Sequence, residues 1–273
     1  MGYEEIRYAV EDHIATVTLS RPEKLNAWTP LMEREVRQAM ETAEGDERVR
    51  VIVLTGAGRG FCAGSDMGSL SSIADGAAAG QSDEETPMRP GPDSAGDFAA
   101  AYANFPSVGK PIIAAVNGPT AGLGLLIALY CDIRFSSDAA VFTTAFSRRG
   151  LIAEEGISWM LPRLIGLQNA LDLLLSGRKI GAAEALRMGL VSQVLPAATL
   201  MEGVRDYARE LASLASPRST RVIKRQVWDA QGQTLAEATA VAHREMELSL
   251  TSADFKEGVA HFVAKRAPAF TGR

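Results

Sequence analysis

Hydrophobic and polar positions alternate from Ile6 to Leu19 and break once, at Glu11-Asp12, a period of two that predicts a β-hairpin ended by Arg21-Pro22. The period then changes. Thr29-Pro30 supplies an N-cap and a proline at the first helical position, and apolar side chains at 31, 32, 36, 39 and 40 predict an amphipathic helix over residues 29–44. Val49 to Thr55 reads as a buried strand. The succession recurs as a strand over Pro111–Asn117, a helix over Gly122–Tyr130 and a strand over Cys131–Phe135, so the chain predicts an α/β core. Residues 71–97 are rich in Gly, Ala, Ser, Asp and Pro without periodicity and predict a long surface loop of the kind that forms lids or pocket walls. From Leu161 onward the spacing is helical, with helices expected over Asn169–Leu175, Ala182–Met188, Leu200–Leu214, Pro217–Asp229, Leu235–Leu250 and Ser252–Arg266. This divides the chain into an α/β core over 1–195 and a helical C-terminal region over 196–273, expected to pack on a neighbouring subunit.

Composition narrows the function. With 47% hydrophobic and 22% charged residues, the 273-residue chain has the balance of an ordinary globular protein. A net charge of -5 argues against general affinity for nucleic acid or anionic membrane, which needs clustered Lys and Arg. Cys62 and Cys131 are the only cysteines, far apart in apolar contexts, and read as reduced and structural. The N-terminus lacks a basic region leading into an apolar run, and the longest apolar stretch, Ala121–Tyr130, is about half a membrane span. A cytoplasmic enzyme of small-molecule chemistry is the expectation. His13, His243 and His261 match no ligand spacing, so no metal site is expected, and no serine carries a nucleophile signature.

Two glycine-rich loops follow strands: Thr55-Gly-Ala-Gly-Arg-Gly-Phe-Cys-Ala-Gly-Ser-Asp66 and Asn117-Gly-Pro-Thr-Ala-Gly-Leu-Gly124. The first fails as a dinucleotide fingerprint, because Phe61 stands where a third glycine would be needed. One backbone N–H from each loop could converge on one oxygen, an arrangement in which losing one donor costs about 2.7–4 kcal/mol of transition-state stabilisation. Alone, the first loop reads equally as a plain glycine turn, and the second more often as a helix N-terminus with a packing glycine. Glu154-Glu155 lies among apolar residues, where burial would raise a carboxyl pKa and make it a base near neutrality. The plain alternative is a pair of acids in the first turn of a helix, favoured by the dipole.

Together, Arg21-Pro-Glu-Lys-Leu-Asn-Ala27, Gly60-Phe-Cys-Ala-Gly-Ser-Asp66, the 117–124 loop, Cys131-Asp-Ile133 and Ala183-Glu-Ala-Leu-Arg-Met-Gly-Leu-Val191 resemble the enoyl-CoA hydratase/isomerase family, also called crotonases, over nearly the whole chain. The resemblance implies a spiral of ββα units, a helical C-terminal trimerisation region, and acyl-CoA thioester substrates handled by homotrimers or dimers of trimers. It implies no separate cofactor, since coenzyme A enters with the substrate. By motif, the N–H groups of Ala63 and Leu123 would bind the thioester oxygen. Lys24, Leu25, Ser65, Asp66 and Met67 would lie along the CoA, and Phe262 and Lys265 would reach it from a neighbouring subunit.

A typical hydratase of the family keeps two glutamates that hold a water, and here those positions align with Leu126 and Phe146. The chain therefore looks like the Δ3,Δ2-enoyl-CoA isomerase branch, with Glu154 as the single acid/base. Hydration or hydrolysis by a water activated by Glu154 or Glu155 and CoA binding without catalysis are the alternatives.

Overall fold

The hairpin at the chain's start pairs β1 (Ile6–Glu11) with β2 (Ile14–Leu19) in antiparallel register, Ile6 opposite Leu19. Its turn is Asp12-His13, both at positive φ. This computed structural model describes residues 2–66, 68, 71 and 101–273. The 71–97 stretch expected as a loop lies outside the described residues from 72 onward. After β2 the chain forms α1 (Pro30–Gly45), where the Thr29 side chain accepts from Met32 N–H as the N-cap, and then β3 (Val51–Gly56). Next come β4 (Ile112–Val116), β5 (Thr120–Ala121), α2 (Leu123–Tyr130), β6 (Ile133–Ser137) and β7 (Val141–Thr143). They are followed by α3 (Ile157–Ile165), α4 (Leu167–Ser176), β8 (Ile180–Gly181), α5 (Ala182–Met188) and β9 (Gln193–Leu195). Four helices complete the chain: α6 (Leu200–Leu214), α7 (Pro217–Asp229), α8 (Leu235–Thr251) and α9 (Ala253–Ala264).

Six strands form one sheet in the order β1-β2-β3-β4-β6-β9, parallel throughout except for the hairpin. Parallel strands are buried on both faces, so they read as unbroken apolar runs such as Val51-Ile-Val-Leu54. Successive side chains point to opposite faces. Val51 and Val53 join Ile14, Ile113, Ala115 and Phe135 under Val204, Ala208 and Ala212 of α6. Ile52 and Leu54 join the larger core with Met32, Val36 and Met40 of α1 and the whole of α2. The amphipathic stripe of α6 thus covers one face of the sheet, while α7, α8 and α9 pack in succession beyond it. A small second sheet, β5-β7-β8, sits beside the first. Among the described residues no helix is long and apolar enough to cross a membrane.

The expected strand at 131–135 starts two residues later because Cys131 and Asp132 form a junction. One carboxylate oxygen of Asp132 accepts from Ile112 N–H at the start of β4 (2.7 Å) and lies 2.8 Å from Lys224 Nζ, while the other accepts from the Trp228 indole (2.9 Å). Lys224 is buried and also donates to the carbonyls of Phe105 and Lys110. Removing one partner of a buried pair leaves an uncompensated charge and costs about 3–5 kcal/mol. Asp132→Ala is therefore expected to lower unfolding stability by about that much in urea titration. Arg48→Ala, which breaks a pair whose arginine is 79% exposed and screened by solvent, is expected to leave the urea midpoint unchanged.

Candidate functional site

Because β2, β3 and β4 are parallel neighbours, the loops after them leave the sheet at one edge, the place where open α/β sheets bind ligands. These loops cover residues 20–29, 57–66 and 117–122. Backbone bonds stitch them side by side: Trp28 N–H to Gly64 O (2.8 Å), Asp66 N–H to Trp28 O (2.9 Å), and Ala121 N–H to Cys62 O (3.0 Å). Asn26, fully buried at positive φ, accepts from Arg21 N–H and donates to the carbonyls of Ala57 and Gly60. Asn117 does the same from the third loop, accepting from Gly56 N–H and donating to Gly58 O. Side-chain amides that use both ends this way, one fully and one partly buried, fix loops with little freedom.

Glycines set how close the loops lie. A Cβ on Gly124 would sit 2.3 Å from Cys62 O, so no other residue fits without parting the second and third loops. Gly64, at φ +93°, would carry a Cβ 2.8 Å from Ala121 O and 3.6 Å from Leu123 N. The nitrogen that opens α2 therefore lies close to the glycine turn of the neighbouring loop. Gly122 caps α2 without a side-chain bond, and the Leu123 N–H has no partner among the described residues. The other expected donor differs, because Ala63 N–H donates to Leu25 O at 3.0 Å. Cys62, fully buried between the loops, has its thiol pushed up to about 12 by burial.

The segment with the candidate base arrives through the small sheet. β7 pairs with β5, and Thr143 O accepts from Gly122 N–H (3.0 Å), so the end of β7 is tied to the start of α2. Phe146 follows, and its ring edge lies 3.8 Å from where a Gly122 Cβ would be. Leu126 is 1% exposed and Phe146 6% exposed, so both positions are apolar and buried. A turn of 3-10 helix, Ser147–Arg149, leads on to Glu154. Its half-buried carboxylate has no hydrogen bond or ion pair among the described residues, and burial raises its pKa. Glu155 leaves more surface open, and its carboxyl is also raised, by burial first and then by the charges of Glu154 and Glu33. Neither acid sits in the first turn of a helix, because α3 begins at Ile157 behind Gly156. The dipole reading of the pair thereby loses its geometry.

The remaining expected site residues divide. Lys24 is exposed at the end of a 3-10 turn, Leu25 follows at φ +51°, and Ser65 forms the bridge to Trp28, so all three line the stitched loops. The Asp66 carboxylate is occupied by the Arg21 guanidinium (3.1 Å) and by Gly68 N–H, which gives it a part in holding the loop. Met67 lies outside the described residues. Phe262 and Lys265 are exposed on the last turn of α9, and no hydrogen bond or ion pair among the described residues links them to the loops.

Two tyrosines escaped the sequence reading. Tyr130, the last residue of α2, donates its hydroxyl to Glu155 O at 3.0 Å. Tyr102 is raised well above the usual phenol range by burial, the charge and hydrogen bond of Glu33, and the charge of Glu155. The only signal for Tyr130 was a phenol ending an otherwise apolar octet.

Residues 9–273 match the Enoyl-CoA hydratase/isomerase family model. The chain is 38% identical over 273 residues, all of both chains, to a protein of Rhodobacter capsulatus named a probable enoyl-CoA hydratase. It is 35% identical over 268 residues, 97% of each chain, to the 1,2-epoxyphenylacetyl-CoA isomerase of Escherichia coli. Among solved structures, a probable enoyl-CoA hydratase/isomerase from Mycobacterium abscessus superposes with a TM-score of 0.86 at 31% identity, covering 98% of this chain and 99% of that one. A putative enoyl-CoA hydratase from Streptomyces coelicolor gives 0.88 at 30% identity over 100% and 96%. The fold is thus the α/β crotonase fold, and the chain belongs to the enoyl-CoA hydratase/isomerase family of enzymes.

Proposed function

We propose that the chain is an enoyl-CoA isomerase that moves a double bond from C3 to C2 of an acyl-CoA thioester, with Glu154 as its single acid/base. The observation that carries this reading is the contrast between Glu154, half-buried and unpaired, and the buried apolar side chains of Leu126 and Phe146 beside the loop edge. Holding a water for hydration needs two polar groups facing it, whereas a 1,3 proton shift needs one base. Glu154 removes a proton from C2 of a 3-enoyl thioester, and the C2–H electron pair moves through C1 onto the thioester oxygen to give a dienolate. As that oxygen gives its electrons back, the C3–C4 π pair takes the proton at C4 from the same carboxyl, leaving the double bond between C2 and C3. The Leu123 N–H is oriented to receive the oxygen. Ala63 N–H shares the task by turning from Leu25 O, so Leu123 carries the larger part.

Relatives of similar identity are named hydratase and isomerase, so names do not choose between the reactions. Glu155 beside Glu154 favours the second reading, in which the pair activates a water. The CoA portion runs along Lys24, Leu25 and Ser65. The 79% exposed Phe262 and the exposed Lys265 contribute from a second copy in a homotrimer or dimer of trimers, where Leu235, Phe262 and Val263 find cover. Analytical ultracentrifugation is expected to give a multiple of three chains, and a monomer overturns that part.

The deciding assay compares 3-hexenoyl-CoA with crotonyl-CoA. Glu154→Gln is expected to lower isomerisation about 10²–10⁴-fold. Glu155→Gln is expected to lose less, and crotonyl-CoA to stay unhydrated. Robust hydration of crotonyl-CoA would favour the water-activating pair, and acyl-CoA binding without turnover in either assay would leave a binding protein.

The base works ionised. Burial lifts Glu154 above the usual 4.5, so its active form is lost as pH falls through the raised value. In a kcat–pH profile the acid limb is expected above 4.5, and a limb at or below 4.5 would count against a buried base.

A further inference from the structure

We infer that Tyr130 is a positioning residue for the base: its hydroxyl fixes the peptide after Glu155, one residue beyond Glu154, so that helix α2 sets the oxyanion donor at one end and the segment carrying the carboxylate at the other. The inference rests on Glu154 being the base. α2 runs from Leu123, whose N–H opens at the loop edge, to Tyr130, a span of roughly 10 Å at 1.5 Å per residue. All eight of its residues are buried, so it is a rigid spacer in the core.

At the far end the Tyr130 hydroxyl donates to Glu155 O (3.0 Å). The chain there is reversed by two consecutive residues at positive φ, Glu155 at +50° and Gly156 at +77°. A non-glycine residue in that region is held by its surroundings, and Tyr130 is the side chain that does so. The fit is close: a Cβ on Gly156 would lie 2.5 Å from the Tyr130 hydroxyl oxygen. Glu154 O in turn accepts from Ile157 N–H (3.0 Å), so the peptides on both sides of the reversal are fixed, one to α3 and one to α2. Burial, and then the charge of Glu155, keeps the phenol protonated and therefore a donor.

A base displaced by about 1 Å can lose up to about 10²-fold in rate without loss of substrate binding. Tyr130→Phe, which removes only the oxygen, is therefore expected to lower kcat on 3-hexenoyl-CoA roughly 10- to 100-fold while KM changes less than about two-fold and the unfolding midpoint is retained. A second variant checks the contact itself. Gly156→Ala collides with the hydroxyl, so its loss of kcat is expected to be greater in the wild-type background than in Tyr130→Phe, and additive losses would overturn the coupling. Wild-type kcat in Tyr130→Phe, or a loss shared with KM or with the midpoint, would overturn the assignment. Glu154→Gln run alongside separates the two claims. If it is inactive while Tyr130→Phe is not, only the role of Tyr130 falls; if it stays active, the base assignment falls and that of Tyr130 with it.

Discussion

Parallel pairing of β2, β3 and β4 is the constraint from which the site follows. Parallel strands send their connections out at the same end, so three loops that are distant in sequence must meet along one edge of the sheet. Backbone hydrogen bonds and the side-chain amides of Asn26 and Asn117 then convert proximity into registration. At that edge the helix start offers one N–H without a partner among the described residues, and the small sheet ties the end of β7, upstream of the acid segment, to the same helix start.

The helix that provides the N–H also belongs to the hydrophobic core. Its apolar side chains share one core with those of α1 and the sheet, and its last side chain reaches the loop that carries the acids. Packing energy, which is roughly proportional to the apolar area removed from water, is here spent on holding polar groups in place. The same economy holds at Asp132, where one carboxylate ties the beginning of β4 to two residues of α7 and so joins the C-terminal helices to a site-bearing strand.

Much of this was legible in the sequence where a local signal was strong. The bounds of Pro217–Asp229 follow from Ser216 as N-cap and Pro217 behind it, and those of Ala182–Met188 from Gly189 in the left-handed region just beyond. Two of the three loops were found by their glycines, and the first, which has none, through the Arg21-Pro-Glu-Lys-Leu-Asn-Ala27 motif. What was not legible has a physical reason in each case. β5, β7, β8 and β9 are two or three residues long, too short to show a period, yet β5 and β7 place the acid segment. The stripe of α6 shows that it has a buried face but not that the sheet is its partner. Nothing local announces that Ala63 N–H is taken by Leu25 O, because that bond joins residues 38 positions apart in two loops.

Gly124 leaves the site an asymmetric tolerance to change. With its missing side chain facing Cys62 O, the second and third loops already touch through bare backbone, so the gap between them stands at its lower limit. Any replacement at 124 spreads the two loops, and none draws them closer. Variation that adapts this protein to other acyl groups must therefore come from elsewhere, while the spacing of this loop edge is fixed by what a glycine lacks.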